Sequence, residues 1–136
     1  MQITFSNHEG RVPVIVMHLT GDLDASNYTD VILKAQGAYD EGARNIVIDL
    51  SKVPYISSAG LMSLHTLALI FAGNAIHTSG QGRPSFRSLD LNRDQKVKEH
   101  VRLVAPKPAV EQVLDTVGLR DFLSVYADVE SAVQSF

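Results

Sequence analysis

Residues 45–61 of the chain read NIVIDLSKVPYISSAGL. The run Ile46-Val47-Ile48 is apolar at consecutive positions, which is typical of a strand buried on both faces at the centre of an α/β sheet. After a connection that contains Pro54, Ser58 begins a segment whose apolar residues recur at helical spacing. The stretch therefore predicts a central strand followed by a long, buried helix.

The segments before this stretch predict a hairpin and a first helix. Residues 3–6 and 12–19 are rich in alternating or β-branched apolar residues and are separated by turn-forming residues, which predicts an opening β-hairpin. Apolar residues at spacings of three and four between residues 28 and 39 predict a helix. Asp24 or Ser26 is expected to cap that helix, because short polar side chains can accept its free backbone N–H groups.

The segments after residue 61 continue the alternation of strands and helices. Residues 101–104 predict a strand, and Pro108 suits the first turn of a following helix, which Gly118 ends. Residues 122–126 predict a short last strand. Asp128 can cap a C-terminal helix.

The element order β-β-α-β-α-β-α-β-α predicts an α/β fold with a mixed, mostly parallel sheet of about five strands and about four helices. We expect one domain over residues 1–136, with an extended loop insert at about 74–98. Such a long loop is uncommon in a compact domain, so it is either mobile or its second half, residues 89–96, forms a small element.

Composition excludes several classes of protein. The chain has 136 residues, 45% hydrophobic and 20% charged, with a net charge of -3 and no cysteine, which fits a soluble globular domain and excludes disulfides and thiol chemistry. It has no apolar run long enough to span a membrane and no visible signal peptide. We therefore expect a cytoplasmic protein without membrane insertion.

The same inventory gives no sign of a cofactor, a metal or a nucleic-acid partner. The five histidines lack the spacing of a metal site, and the aromatic residues, 7% of the chain, do not alternate with basic ones. The segment Ser57-Ser58-Ala59-Gly60 is not the Gly-x-Ser-x-Gly elbow of hydrolases, and no Walker loop is present. We expect no enzymatic activity and no cofactor.

Two strand ends carry the candidate functional residues. Leu19-Thr20-Gly21-Asp22-Leu23-Asp24 ends the second strand, and residues 49–61 run from the third strand into the second helix. The carboxyl ends of parallel strands form the usual contact region of such sheets, so the two segments are expected to meet. Simple capping by Ser58 and ordinary turn roles for Asp22 and Asp24 are the alternative interpretations.

These two segments resemble the motifs of the STAS domain, named for sulfate transporters and anti-sigma-factor antagonists. Leu19 to Asp24 is similar to its hydrophobic-x-Gly-acidic-Leu-Asp strand end, and Asp49 to Leu61 to its longer serine segment. Leu114-x-x-Val117-Gly118-Leu119 resembles its C-terminal part. The position before Ser58 is often Asp in the family and is Ser57 here. The insert at about 74–98 is the main departure from the family pattern.

The resemblance implies a signalling module of the antagonist branch. By position in the motif, Ser58 would be the phosphorylated serine, with Ser57 as the alternative acceptor. An anti-sigma factor with kinase activity would bind the unmodified domain and phosphorylate it, and a phosphatase would reverse the modification. The resemblance implies a partner-binding set of seven residues: Asp22, Asp24, Ser57, Ser58, Ala59, Gly60 and Met62.

Two other functions stay open at this point. A STAS domain without a phosphorylation switch could serve as a scaffold or as an accessory subunit of a membrane transport complex. The insert offers an additional contact surface, because six of the chain's twelve Lys and Arg residues lie between residues 77 and 102. Those cations could bind an acidic partner, or the insert could be a solvated loop without a specific role. The oligomeric state is not predicted.

Overall fold

A computed structural model describes residues 1–72, 100–119 and 123–136. Five strands and four helices follow one another along these residues. The strands are β1 (Gln2–Glu9), β2 (Pro13–Thr20), β3 (Ile46–Lys52), β4 (Val101–Val104) and β5 (Ser124–Tyr126). The helices are α1 (Tyr28–Asp40), α2 (Ser58–Phe71), α3 (Pro108–Thr116) and α4 (Val129–Gln134).

The five strands form one sheet in the order β1-β2-β3-β4-β5. The β1–β2 hairpin is antiparallel, and each later pair of neighbouring strands is parallel. The predicted α/β class, opening hairpin and mostly parallel sheet are therefore confirmed. Because helices connect the parallel strands, apolar residues are needed on both faces of the sheet.

The central strand β3 divides its apolar residues between two cores. Ile46 and Ile48 point into the larger core, where α1, α2 and α3 pack against one face of the sheet. Val47 points the other way, into a smaller core that Ala132 and Val133 of α4 cover. All three β3 side chains are fully buried, as the uninterrupted apolar run predicts.

Helix α2 is buried around most of its circumference because it packs against α1 and shares the larger core with the sheet. Leu64 and Leu67 have no exposed surface, and an edge-to-face contact between Tyr39 of α1 and Phe71 helps to join the two helices. His65 also lies inside, with 4% of its surface exposed.

The predicted roles of Pro108, Gly118 and Asp128 at the ends of α3 and α4 are confirmed, and a glycine also follows α1. Gly42 and Gly118 follow α1 and α3 with positive φ angles of 114° and 76°, a conformation that glycine adopts without steric cost. Pro108 lies in the first turn of α3, and the Asp128 carboxylate accepts the Ser131 N–H at the start of α4.

Two predictions concern the ends of the described regions. The predicted small element at residues 89–96 and the extent of the insert lie outside the described residues. Residue 122, the predicted start of the last strand, lies outside them as well, and the described strand begins at Ser124. Among the described residues, no helix is both long and apolar enough to cross a bilayer.

Candidate functional site

The two predicted strand-end segments lie side by side. The N–H of Gly21 donates to the carbonyl of Lys52, and that of Leu23 donates to the carbonyl of Tyr55, both over 3.0 Å. The N–H of Ser57 donates in turn to the carbonyl of Leu23 over 2.9 Å. Leu23 thereby pairs with Ile56 as an isolated parallel bridge, which carries the β2–β3 pairing beyond the ends of both strands.

Gly60 allows the start of α2 to approach this bridge closely. A Cβ atom at Gly60 would lie 2.6 Å from the carbonyl oxygen of Leu23 and 2.7 Å from Cγ1 of Ile56. Both distances are too short for real contacts, so only glycine fits without movement of the backbone. Gly60 itself is buried, and its role in the site is to permit this approach.

The two candidate serines have different environments. Ser57 has an extended backbone at the N-cap position of α2, and its hydroxyl accepts the Gly60 N–H over 3.2 Å. Ser58 is the first helical residue and is exposed. Within the described residues, the Ser58 side chain makes no hydrogen bond. The predicted capping role of the Ser58 hydroxyl is therefore wrong, because Ser57 performs it.

The acidic loop before α1 is held by its own side chains. The Asp24 carboxylate accepts the backbone N–H of Ser26 over 2.9 Å and the hydroxyl of the same residue over 2.5 Å. These bonds, the hydroxyl bond foremost, lower the pKa of Asp24. Asp22 is exposed and its carboxylate faces solvent. Two carboxylates therefore stand on the loop that pairs with the segment before Ser57.

Neither Asp24 nor Ser26 caps α1, so that prediction is wrong. The helix begins at Tyr28 after Asn27, whose side chain makes no capping bond. Asn27 instead braces the loop, since its Oδ1 accepts the Asp24 N–H and its Nδ2 donates to the Asp22 carbonyl. Sequence analysis missed this residue; the Asp-x-x-Asn spacing is the signal that suggests such a turn.

The surface around Ser58 also contains apolar groups. Ala59 and Met62 on α2 are half-buried, and Tyr55 is 49% exposed. Tyr55 was not among the predicted contact residues, although an exposed tyrosine is a common anchor in protein interfaces. The structure thus brings together all seven predicted residues, six of them at least partly exposed and Gly60 buried beneath them.

The start of α2 offers a favourable electrostatic environment for an anionic group. The first N–H groups of α2 lie at the positive end of the helix dipole, where a phosphate on Ser58 is tolerated electrostatically. The hydroxyl of Ser58 has no adjacent general base among its described neighbours. No group of three His, Asp or Glu residues in the described regions could hold a metal ion.

Comparisons with known proteins concern the sequence profile and the fold of the chain. The profile of the STAS domain matches residues 6–71, which include β2, α1, β3, both strand-end segments and α2. None of the curated proteins has a matching sequence.

Solved structures with the same fold cover nearly the whole chain. An anti-sigma factor antagonist from Mycobacterium paratuberculosis superposes with a TM-score of 0.68 at 19% identity, over 98% of this chain and 92% of that chain. SpoIIAA of Bacillus, in its phosphorylated form, gives 0.54 at 14% identity, over 98% and 100%.

The fold also occurs as part of a larger protein. The murine anion transporter Solute Carrier 26 family member A9 gives a TM-score of 0.59 at 15% identity, over 88% of this chain but 17% of that chain. At these identities the likeness concerns the fold alone. Residues 6–71 therefore match a STAS domain by their sequence profile, and the described residues share the fold of these structures.

Proposed function

We propose that this protein is a cytoplasmic signalling module, similar to the anti-sigma-factor antagonists, whose binding to a partner is controlled by phosphorylation of Ser58. The observation that carries the proposal is the division of roles between the two serines. Ser57 caps α2 with its hydroxyl, whereas Ser58 is exposed and its side chain is free of hydrogen bonds within the described residues. A kinase can therefore modify Ser58 without removing the helix cap.

The proposed partner is an anti-sigma factor with kinase activity, and a phosphatase would reverse the modification. Anti-sigma factor antagonists are among the proteins that share this fold, and such STAS domains are generally not enzymes. The proposal accordingly gives the chain itself no catalytic role. Asp22, Asp24, Ala59 and Met62 would form the docking surface around Ser58, and exposed Tyr55 extends it.

The physical effect of phosphorylation would be mainly electrostatic. A phosphate adds about -1.5 to -2 charges near neutral pH. The start of α2 tolerates this charge, but the nearby carboxylates of Asp22 and Asp24 do not neutralise it. A partner that accepts the unmodified surface, with its two carboxylates, would then meet a more strongly acidic one. We expect phosphorylation to release the partner while leaving the fold intact.

Two measurements test this proposal. Peptide mass spectrometry of the protein from its native cells should find a phosphate on Ser58; a phosphate on Ser57 alone would contradict the assignment. In a binding assay with the kinase-type anti-sigma factor of the same organism, Ser58→Asp should weaken binding at least about tenfold. Ser58→Asn, of similar size but uncharged, should bind nearly as well as the wild type. Equal binding by both variants would refute a charge-based switch.

The likeness to an anion transporter domain supports a second candidate function. Here the chain is a STAS scaffold or an accessory subunit of a membrane transport complex and is not phosphorylated. Affinity purification from detergent-solubilised native membranes separates the two functions. A stable membrane complex, together with unphosphorylated Ser57 and Ser58 under all growth conditions, would favour this second function.

A further inference from the structure

A chain of polar side chains crosses three strands on the sheet face that α4 partly covers. We call it the relay, and its members in order are Asp49, His18, Ser6 and His8. Oδ2 of Asp49 lies 2.9 Å from Nδ1 of His18, and Nε2 of His18 lies 2.8 Å from the hydroxyl oxygen of Ser6. That oxygen lies 2.9 Å from Nε2 of His8. The four residues therefore join β3, β2 and β1 through side chains alone.

The chemistry of the donors and acceptors allows one proton arrangement when both imidazoles are neutral. An ionised Asp49 only accepts, so Nδ1 of His18 carries its proton and Nε2 is an acceptor. The hydroxyl of Ser6 therefore donates to His18. Its oxygen in turn accepts from His8, which must carry its proton on Nε2. The relay thus fixes opposite tautomers for the two histidines.

Protonation of His18 reverses the direction of the relay. With both ring nitrogens protonated, His18 donates to Asp49 and to the oxygen of Ser6. The single Ser6 proton must then point to Nε2 of His8, which becomes an acceptor and holds its own proton on Nδ1. Histidine is the side chain that ordinarily changes charge between about pH 5 and 8, which makes it the usual pH-sensing group of proteins.

Protonation of both histidines breaks the relay at Ser6. The serine oxygen can accept from two donors, but its own proton then has no acceptor within the relay.

Charged side chains of both signs surround the relay. Glu9 and Glu130 line the groove beside His8, and Arg102 of β4 lies on the same sheet face. Asp49 is the relay's own anion, and hydrogen bonds with Ser51 and His18 outweigh its burial and lower its pKa.

The order of Ser6, His18 and Asp49 resembles that of a hydrolase triad, but the position of His8 argues against catalysis. A nucleophilic serine needs its oxygen directed at a substrate, with one base to take its proton. In this protein the oxygen of Ser6 is held between two imidazoles, and it lies on a strand instead of a sharp turn. The cluster is therefore better suited to carry a proton-dependent signal between strands.

The relay lies near the ends of β2 and β3, and the two segments of the candidate functional site follow directly after these ends. The Oδ1 atom of Asp49 accepts the N–H of Ser51, near the end of β3. The β2–β3 register shifts between His18 and Thr20, directly before the loop that pairs through Leu23. We propose that the relay is a pH-responsive switch whose charge state alters the backbone pairing of residues 20–23 with the segment after β3.

Nuclear magnetic resonance of the free full-length protein tests this inference without any partner, so its outcome is independent of the proposed switch at Ser58. Near about pH 8, the imidazole nitrogen shifts should show the Nδ1–H tautomer for His18 and the Nε2–H tautomer for His8. On acidification, the amide signals of Gly21 and Leu23 should shift along the same curve as the His18 ring. Independent curves would overturn the proposed coupling.

Two substitutions of Ser6 separate the relay from a purely structural effect. Ser6→Ala removes the bridging hydroxyl, so His8 should lose its tautomer preference, while the amide shifts of Gly21 and Leu23 should still follow the His18 ring because its bond to Asp49 is kept. Ser6→Thr keeps a hydroxyl, and threonine suits a strand. In this variant His8 should keep its tautomer preference, and the amide shifts should still follow the His18 ring. His100, bonded to Asn45 elsewhere in the chain, should be unchanged in both variants. Wild-type tautomers in Ser6→Ala would overturn the relay.

Discussion

The close approach at Gly60 gives a prediction whose magnitude follows from the structure. In Gly60→Ala, the new methyl group would lie 2.6 Å from the carbonyl oxygen of Leu23 and 2.9 Å from Cγ of the same residue. A backbone oxygen cannot rotate away as a flexible side chain can. The loop that carries Asp22 and Asp24 must therefore move away from α2, or the helix must begin later.

Two opposing contributions determine the net effect on stability. Forced overpacking costs about 1–3 kcal/mol, whereas replacing glycine by alanine in a helix gains up to about 1 kcal/mol. We therefore expect Gly60→Ala to lower the free energy of unfolding by about 1–2 kcal/mol. With the usual dependence of the unfolding free energy on urea, the urea concentration at the unfolding midpoint should fall by roughly 0.5–1 M.

Gly37→Ala is the matched control. Gly37 lies within α1, and a Cβ atom there would meet nothing within 4 Å. The higher helix propensity of alanine should then be the only effect, and it should raise the free energy of unfolding by about 0.5–1 kcal/mol. Urea unfolding followed by circular dichroism compares the two variants with the wild type. A Gly60→Ala midpoint at or above that of the wild type would refute the close-approach argument.

The remaining predictions concern the serines and the pH dependence of stability. Ser57→Ala should cost about 0.5–2 kcal/mol by loss of the helix cap, while Ser58→Ala should stay within about 0.5 kcal/mol of wild type, both by urea unfolding; the reverse order would assign the cap to Ser58. Because the folded-state pKa of Asp49 is depressed, its stabilising contribution is present above about pH 4 and disappears as the pH falls through the folded-state value. The stability difference between wild type and Asp49→Asn should therefore be present at neutral pH and shrink in acid; a constant difference would contradict this.

The architecture was predictable because single elements carry strong local patterns. The consecutive apolar residues Ile46, Val47 and Ile48 can be buried only if both faces of the strand are covered, and two cores cover them. The nearly all-round apolar character of α2 likewise requires contacts with both the sheet and α1. Such patterns reflect the burial of whole elements, so they do not depend on the exact register.

The contacts of the relay could not be predicted from local patterns. Ser6 and His18 come together only through the β1–β2 register, in which Ser6 pairs with Val16 and Thr4 pairs with His18. Asp49 joins them through the separate β2–β3 register. The sequence analysis placed no histidine in a functional cluster because spacing along the chain contains neither register.

The identity of the capping serine depended on a contact between distant segments. Ser57 and Ser58 have the same side chain and adjacent positions, so local chemistry favours neither. The difference arises because the N–H of Ser57 bonds to the carbonyl of Leu23 as if it were in a strand. This pairing holds Ser57 extended, with ψ at 176°, and makes Ser58 the first residue free to be helical. The same bridge therefore determines where α2 begins and leaves Ser58 exposed, so a change that displaces Leu23, such as Gly60→Ala, should alter the presentation of Ser58 as well as stability.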